Sequence, residues 1–277
     1  MSAAAGAAAR RNGWGWYLYG IVAADQAQAA VVPGAGEAPD VVLVSEGPLA
    51  GVASRVSLEE FDEASLPERF RDASWLEQKI RTHESVLEQV LAGAAVIPCR
   101  FCTVYRSEEE LRRFLSERQE TLRETLRAVE GRVELGVKAF VDRDRFNAGR
   151  AMQNEAIKEL AERVAAGQGG RAYLEGRRLE QLQGEELDRF RAEAGGQIHA
   201  RLLPEAEDGR PLALQRPEVA GREEEMLFNG AYLVSNRARF EEALREVAVD
   251  YRTVGVEFEL TGPWPPYNFV PTELSAS

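Results

Sequence analysis

Cysteine and histidine are almost missing from this chain. Of its 277 residues, two are cysteines, Cys99 and Cys102, and two are histidines, His83 and His199. So few cysteines exclude a secreted disulfide scaffold. The two have C-x-x-C spacing, but they lie between short strand-like runs and follow Pro98. A redox thiolate wants a helix N-terminus, and a zinc site wants further ligands, and neither is in view. The pair therefore reads as small buried hydrophobes. No run of about 18 apolar residues occurs, so no membrane span is expected. Positive charge is also short: 34 Lys and Arg stand against 46 Asp and Glu, a net of −12. That balance argues against a nucleic-acid or anionic-membrane partner, because a phosphate backbone selects a basic face.

What is present is globular. Hydrophobic residues make up 44% and charged ones 29%, and the length suits two ordinary domains with a sizeable core. Residues 1–13 read as a disordered, alanine-rich leader whose Arg10-Arg11 pair follows the alanines, the reverse of a signal peptide. Trp14 to Ala23 reads as a central strand apolar on both faces. Gln26 to Asp40 is a loop, and Val41–Ser45 and Gly51–Val56 form a hairpin. Ser57-Leu-Glu-Glu has capping-box spacing and predicts a helix start, with a hinge at Pro67. A long helix from Trp75 to Leu91 carries Leu76, Ile80, His83, Leu87 and Val90 on one stripe. Short strands are expected at Val96-Ile-Pro and Thr103-Val-Tyr. A helix capped at Ser107 then runs to Val129, its stripe interrupted by Arg118.

At Gly131 the period changes to two. Val133, Leu135, Val137, Ala139 and Val141 point one way, and Glu134, Lys138 and Phe140 the other. A helix from Arg150 to Val164 follows, then Gly167-Gln-Gly-Gly, then helical spacing through Ile198. Strands at Pro211–Gln215 and Met226–Ser235, a helix capped by Asn236, and a strand at Thr253–Leu260 complete the order. The whole predicts an α+β chain. Residues 14–130 form an N-terminal α+β domain. Residues 131–261 form a ferredoxin-like (β-α-β-β-α-β) domain with an enlarged helical crossover.

The chain closes on Gly262-Pro-Trp-Pro-Pro-Tyr-Asn-Phe-Val. Its three prolines remove donors and stiffen the backbone, so residues 262–277 read as an extended tail. Trp264, Pro265, Pro266, Tyr267 and Phe269 are the candidate docking residues, either on the tail's own domain or on a partner.

No catalytic set stands out. His83 on an apolar stripe reads as a satisfied buried histidine, and His199 has no evident nucleophile partner. Glu257 and Glu259 share a strand face, which suggests paired carboxylates. In a ferredoxin-like sheet, however, Glu134 and Lys138 lie opposite, so ion pairing is the simpler reading. The glycine run at 167–170 lacks a preceding strand and a Lys-Ser/Thr, so it is a helix break and not a phosphate loop.

Several stretches resemble one family. Trp16-Tyr-Leu-Tyr-Gly-Ile-Val is similar to the opening strand of the GvpF/GvpL gas vesicle accessory proteins. Val96-Ile-Pro-Cys-Arg-Phe-Cys-Thr-Val-Tyr resembles their P-x-R-F-G-T-V segment, and Arg132-Val-Glu-Leu-Gly-Val-Lys their E-x-x-V-K strand. Gly262-Pro-Trp-Pro-Pro-Tyr-Asn-Phe resembles their terminal G-P-W-P-P-Y-x-F signature. One departure is Cys102, where the family pattern carries glycine. The resemblance implies a non-enzymatic, cytoplasmic protein without cofactor that is required for gas vesicle assembly. It implies binding to the hydrophobic shell subunit GvpA and to other accessory proteins. The alternative is a small-molecule-binding module or enzyme on a ferredoxin-like scaffold. A closed cleft of about 300 Å³ with convergent polar groups would favour that alternative.

Overall fold

The computed structural model describes residues 13–30, 40–61, 65–216, 221–222, 224–271 and 273. The expected leader and most of the loop before Asp40 lie outside the described residues. The chain divides into two compact units: 1–131 together with 265–277, and 132–264.

The first unit is built on β1 (Trp14–Ala23), β2 (Val41–Glu46) and β3 (Leu49–Ser57), with two short strands, β4 (Ile97–Pro98) and β5 (Val104–Tyr105). The sheet order is β2-β3-β1-β4, with β5 also pairing β1, and every pairing is antiparallel. The strand β1 is central, as its two-sided apolar pattern predicts. The register shifts between Leu18 and Gly20. One extra residue in a strand inverts the facing of all that follow. Leu18 and Ile21 therefore share one core, while Tyr17, Tyr19 and Val22 share the other.

Helix α1 (Ala73–Gly93) covers the tyrosine side, burying Trp75, Val86, Leu87 and Val90. Helices α2 (Glu108–Glu117) and α3 (Gln119–Val129) cover the other with Leu111, Leu115, Leu122, Leu126 and Val129. They join at Arg118, the residue that interrupts the stripe. Two expectations fail here. Ser57 ends β3 and is followed by a turn in which its hydroxyl accepts from the Glu59 amide; a brief helix forms only at Leu66–Arg69, with Pro67 in its first turn. Ile80 is 41% exposed, since the buried face of α1 is centred on Trp75, His83, Val86 and Val90.

The second unit carries β6 (Val133–Val141), α4 (Glu155–Ala166), α5 (Gly169–Leu202), β7 (Asp208–Pro211), β8 (Glu225–Val234), α6 (Arg237–Arg252) and β9 (Val256–Trp264). Its antiparallel sheet has the order β7-β8-β6-β9. The inward set of β6, from Leu135 to Val141, packs with Leu187 and Ile198 of α5 and Phe240 and Val247 of α6. The Asn236 side chain accepts from the Arg239 amide at 3.1 Å and caps α6. Lys138 pairs in register with Glu259, and Glu257 holds Arg145 at 3.2 Å and Arg222 at 3.0 Å. Glu257 is thus an ion-pairing group, while Glu259 lies opposite Lys138 in register with no ion pair among the described residues. His199 Nδ1 lies 3.1 Å from the Tyr232 hydroxyl, again a structural contact.

Strand β9 begins at Val256 and continues through Gly262 and Pro263 to Trp264, beyond the expected end at Leu260. It lies at the sheet edge, where a proline's missing donor breaks no ladder bond. Likewise β7 occupies 208–211, earlier than the expected 211–215.

The bulge in β1 generates a test. A Cβ at Gly20 would stand 2.7 Å from Val96 Cγ2 and 3.0 Å from the Ile97 carbonyl. Gly20→Ala should cost about 1–3 kcal/mol by overpacking, read from chemical denaturation of the purified protein.

Candidate functional site

The site forms where the tail meets the first unit. Pro265 and Pro266 are buried, and Tyr267 and Phe269 are half-buried. The Tyr267 amide donates to the Pro265 carbonyl at 2.7 Å, and the Phe269 amide to Pro266 at 3.0 Å, so the segment folds into tight turns. These turns present Tyr267 to the core under α1 and Val270 to the core under α2 and α3. The tail thereby contributes to both sides of one sheet. Of the expected docking residues, Pro265, Pro266, Tyr267 and Phe269 lie in this segment. Trp264 does not: it ends β9 in the second unit, 38% exposed, with its indole donating to Thr261. Val270, only 6% exposed, was hidden from an aromatic-centred reading.

The Tyr267 side chain belongs to a chain of hydrogen bonds that runs through the buried Tyr17 and His83 to Glu84. The Cys102 amide donates to the Tyr17 hydroxyl at 3.0 Å. The Tyr17 hydroxyl lies 2.9 Å from His83 Nδ1, and His83 Nε2 lies 3.2 Å from the Tyr267 hydroxyl. The Tyr267 hydroxyl reaches Glu84 Oε1 at 3.3 Å. A carboxylate only accepts, so Tyr267 donates to Glu84 and accepts from His83 Nε2–H. His83 Nδ1 then accepts from Tyr17, whose oxygen accepts from Cys102. The donors run in one direction from the backbone to the carboxylate, and the partners assign the Nε2–H tautomer.

Electrostatics agree with that arrangement. Burial pulls the His83 pKa down to about 4, so the ring is neutral at pH 7. Burial raises both tyrosines, Tyr17 and Tyr267. Glu84 is raised by burial, and neighbouring Glu88 adds to this against the lowering bond from Tyr267. Both thiols are pushed up to about 12 by burial, which leaves them protonated and unreactive.

Cys102 has φ +66°, the left-handed conformation of the glycine it stands in for. The turn is kept, and it aims the Cys102 amide at Tyr17. A side chain there carries a cost of about 1–2 kcal/mol.

The cavity beside Tyr17 and Tyr19 holds only about 60 Å³. A larger concavity of about 440 Å³ lies between Ala23, Leu49, Ala95, Arg123, Arg127 and Glu130. Another of about 610 Å³ lies by Trp14, Trp16 and Glu108. Neither is lined by the hydrogen-bonded chain. Among the described residues, no group of three or more His, Cys, Asp or Glu is placed to hold a metal ion.

Fold and site together define a two-unit α+β protein with antiparallel sheets and a tail seated in its first unit. Residues 15–271 match the model of the gas vesicle synthesis proteins GvpL/GvpF, and the chain belongs to that family. It is 34% identical over 235 residues to gas vesicle protein L of Streptomyces sp. (strain CB03234), covering 84% of each chain. It is 24% identical over 265 residues to gas vesicle protein F1 of Halobacterium salinarum, covering 94% of each. The crystal structure of GvpF from Anabaena sp. PCC7120 superposes with a TM-score of 0.66 at 20% identity, covering 93% of this chain and 98% of that one. That of GvpF from Microcystis aeruginosa gives 0.60 at 18% identity, covering 92% and 98%. These relatives tie the chain to gas vesicles, and the solved structures share its fold.

Two measurements test the site. At an ordinary φ, alanine is more stabilising than glycine. At Cys102 the order should reverse, with Cys102→Gly more stable than Cys102→Ala by about 1–2 kcal/mol. Equal stability would show that the turn carries no strain. The second is pH dependence. His83 has a folded pKa of about 4, below the ordinary 6.5. The unfolded chain therefore binds the extra proton between those values, and stability falls as pH drops through them. The loss from pH 7 to pH 5 should be about 2 kcal/mol. Glu84, raised above 4.5, acts in the opposite sense but from a lower starting value. His83→Gln should flatten the profile between pH 7 and 5, and an unchanged slope would assign the dependence elsewhere.

Proposed function

We propose that this protein is a non-enzymatic, cytoplasmic accessory factor of gas vesicle assembly that binds the hydrophobic shell subunit GvpA and other accessory proteins. Family membership supports the setting. The observation that carries the mode of action is the tail: a proline-stiffened segment whose Tyr267 and Val270 complete two cores at once. A segment already ordered by proline loses little entropy when it docks, so it shapes a stable surface for an apolar partner. A catalytic reading finds less support. His83 has both ring nitrogens engaged by tyrosines, and the thiols are held protonated.

The arrangement of the second unit supports two further readings. Taken in chain order as strands one to four, its sheet runs 4-1-3-2 with the elements β-α-β-β-α-β, and we read it as ferredoxin-like with an enlarged first crossover. The expected domain 131–261 then ends on β9, and the docking tail starts at Pro265.

Truncation after Trp264 tests the function, since it removes the seated residues and leaves β9 whole. A buried aromatic contributes on the order of 150–250 Å², and Val270 adds its own burial. The truncated protein should melt several degrees lower and capture GvpA more weakly in a pull-down. If it melts like the full chain and captures GvpA equally, the tail is neither strap nor interface.

A further inference from the structure

The second unit contains more helix than its core uses. Helix α5 has 34 residues, about 51 Å of helix at 1.5 Å per residue. Its buried residues are Leu187, Ala194, Ile198 and Leu202, all in the second half. The first half packs mainly on α4, with Leu179 and Leu182 half-buried against the core, and the two helices make a hairpin that turns at Gly167–Gly170. Beside that turn, Tyr173 and Leu174 are each 69% exposed. Large apolar side chains left this bare next to arginine have the composition of an interface anchor.

The charge of this tip is opposite to that of the chain. Residues 163–178 hold Arg163, Arg171, Arg177 and Arg178 against the single acid Glu175, in a protein of net charge −12. Arg163 and Arg171 share Glu175, at 3.9 and 3.4 Å, and Arg177 turns to Glu180 at 3.1 Å. Arg178 makes no ion pair among the described residues.

A complementary surface exists on the outer face of α1. Ile80 is 41% exposed there, with half-buried Leu76 one turn before it and Glu84 one turn after. Glu84 and Glu88 are like charges at i,i+4, a destabilising spacing. Glu88 raises Glu84, and neither has an ion-pair partner among the described residues. This face therefore offers an apolar spot beside uncompensated negative charge, and the tip offers apolar anchors beside excess positive charge.

We propose that the hairpin tip docks on the α1 face of a second copy of this chain, with Tyr173 and Leu174 against Ile80 and Leu76, and Arg171 and Arg178 facing Glu84 and Glu88. The two patches differ, so the contact is heterologous and links copies head to tail. A second copy is the occupant because its α1 face carries both the apolar seat and the acidity that the tip's apolar and basic groups complement. The proposal is independent of shell-subunit binding, which rests on the tail.

Sedimentation of the full-length protein tests it. Over about 1 to 500 µM, the range where weak interfaces populate, the wild type should show a mass that rises with concentration and falls with added salt. Arg178→Glu alone and Glu88→Arg alone should each weaken association at least about tenfold, with unchanged circular dichroism and melting temperature. Mixing the two variants should restore it, because each reversed charge then meets its opposite. A wild type that stays monomeric throughout overturns the proposal; so does a mixture that fails to recover association. A tip that instead serves an acidic partner of another kind would give the first of those results.

Discussion

The hydrogen-bonded chain from the Cys102 amide through Tyr17, His83 and Tyr267 to Glu84 is the constraint on which the first unit depends. It joins four separated pieces of sequence: the central strand, the turn after β4, the long helix and the C-terminal tail. Tyr17 and His83 are buried and polar, so each would be costly unpaired, and Cys102, Tyr267 and Glu84 at the two ends are half-buried. Together they satisfy one another in a single direction. The left-handed turn at Cys102 belongs to the same arrangement, since it is what points the first donor inward. A neutral histidine is required in the middle, and burial supplies it.

Around that chain, two cores divide the first unit, and the bulge in β1 allows one strand to feed both. The tail adds Tyr267 to one core and Val270 to the other. The second unit reaches its core by a simpler route: an alternating strand, β6, lies between β8 and β9 under α5 and α6. The hairpin tip around Gly167–Gly170 lies outside that economy, and its exposed Tyr173 and Leu174 are what the core leaves over.

The family relationship and the physical reading meet at the tail. The Gly-Pro-Trp-Pro-Pro-Tyr run that carries the resemblance is split by the structure. Its first half finishes an edge strand of the second unit, and its second half is buried in the first. The prolines serve both halves, tolerated at a sheet edge and stiffening a docked segment. The acidic composition, by contrast, hides a local reversal at the hairpin tip that net charge alone does not reveal.

Local patterns carried much of the fold. The alternation from Val133 to Val141, the two-sided apolar strand at Trp14–Ala23, the caps at Ser107 and Asn236 and the glycine break at 167–170 were all legible. Each depends on neighbours a few residues away. At Arg118 the interruption of the stripe was legible, but the division of one expected helix into two was not. What failed was also local pattern without its tertiary arbiter: the capping-box spacing at Ser57 that became a turn, the stripe position of Ile80 that faces outward, and the strand end placed at Leu260. The site was half visible. Tyr267 and His83 were noticed singly, but their contact spans 184 residues, and Val270, Tyr17 and Glu84 gave no sign of joining them. Composition and periodicity determine which segments form helices and strands and which faces are apolar. Tertiary structure alone decides which buried polar atoms meet, because a hydrogen bond depends on position to within a fraction of an ångström and leaves no period in the chain.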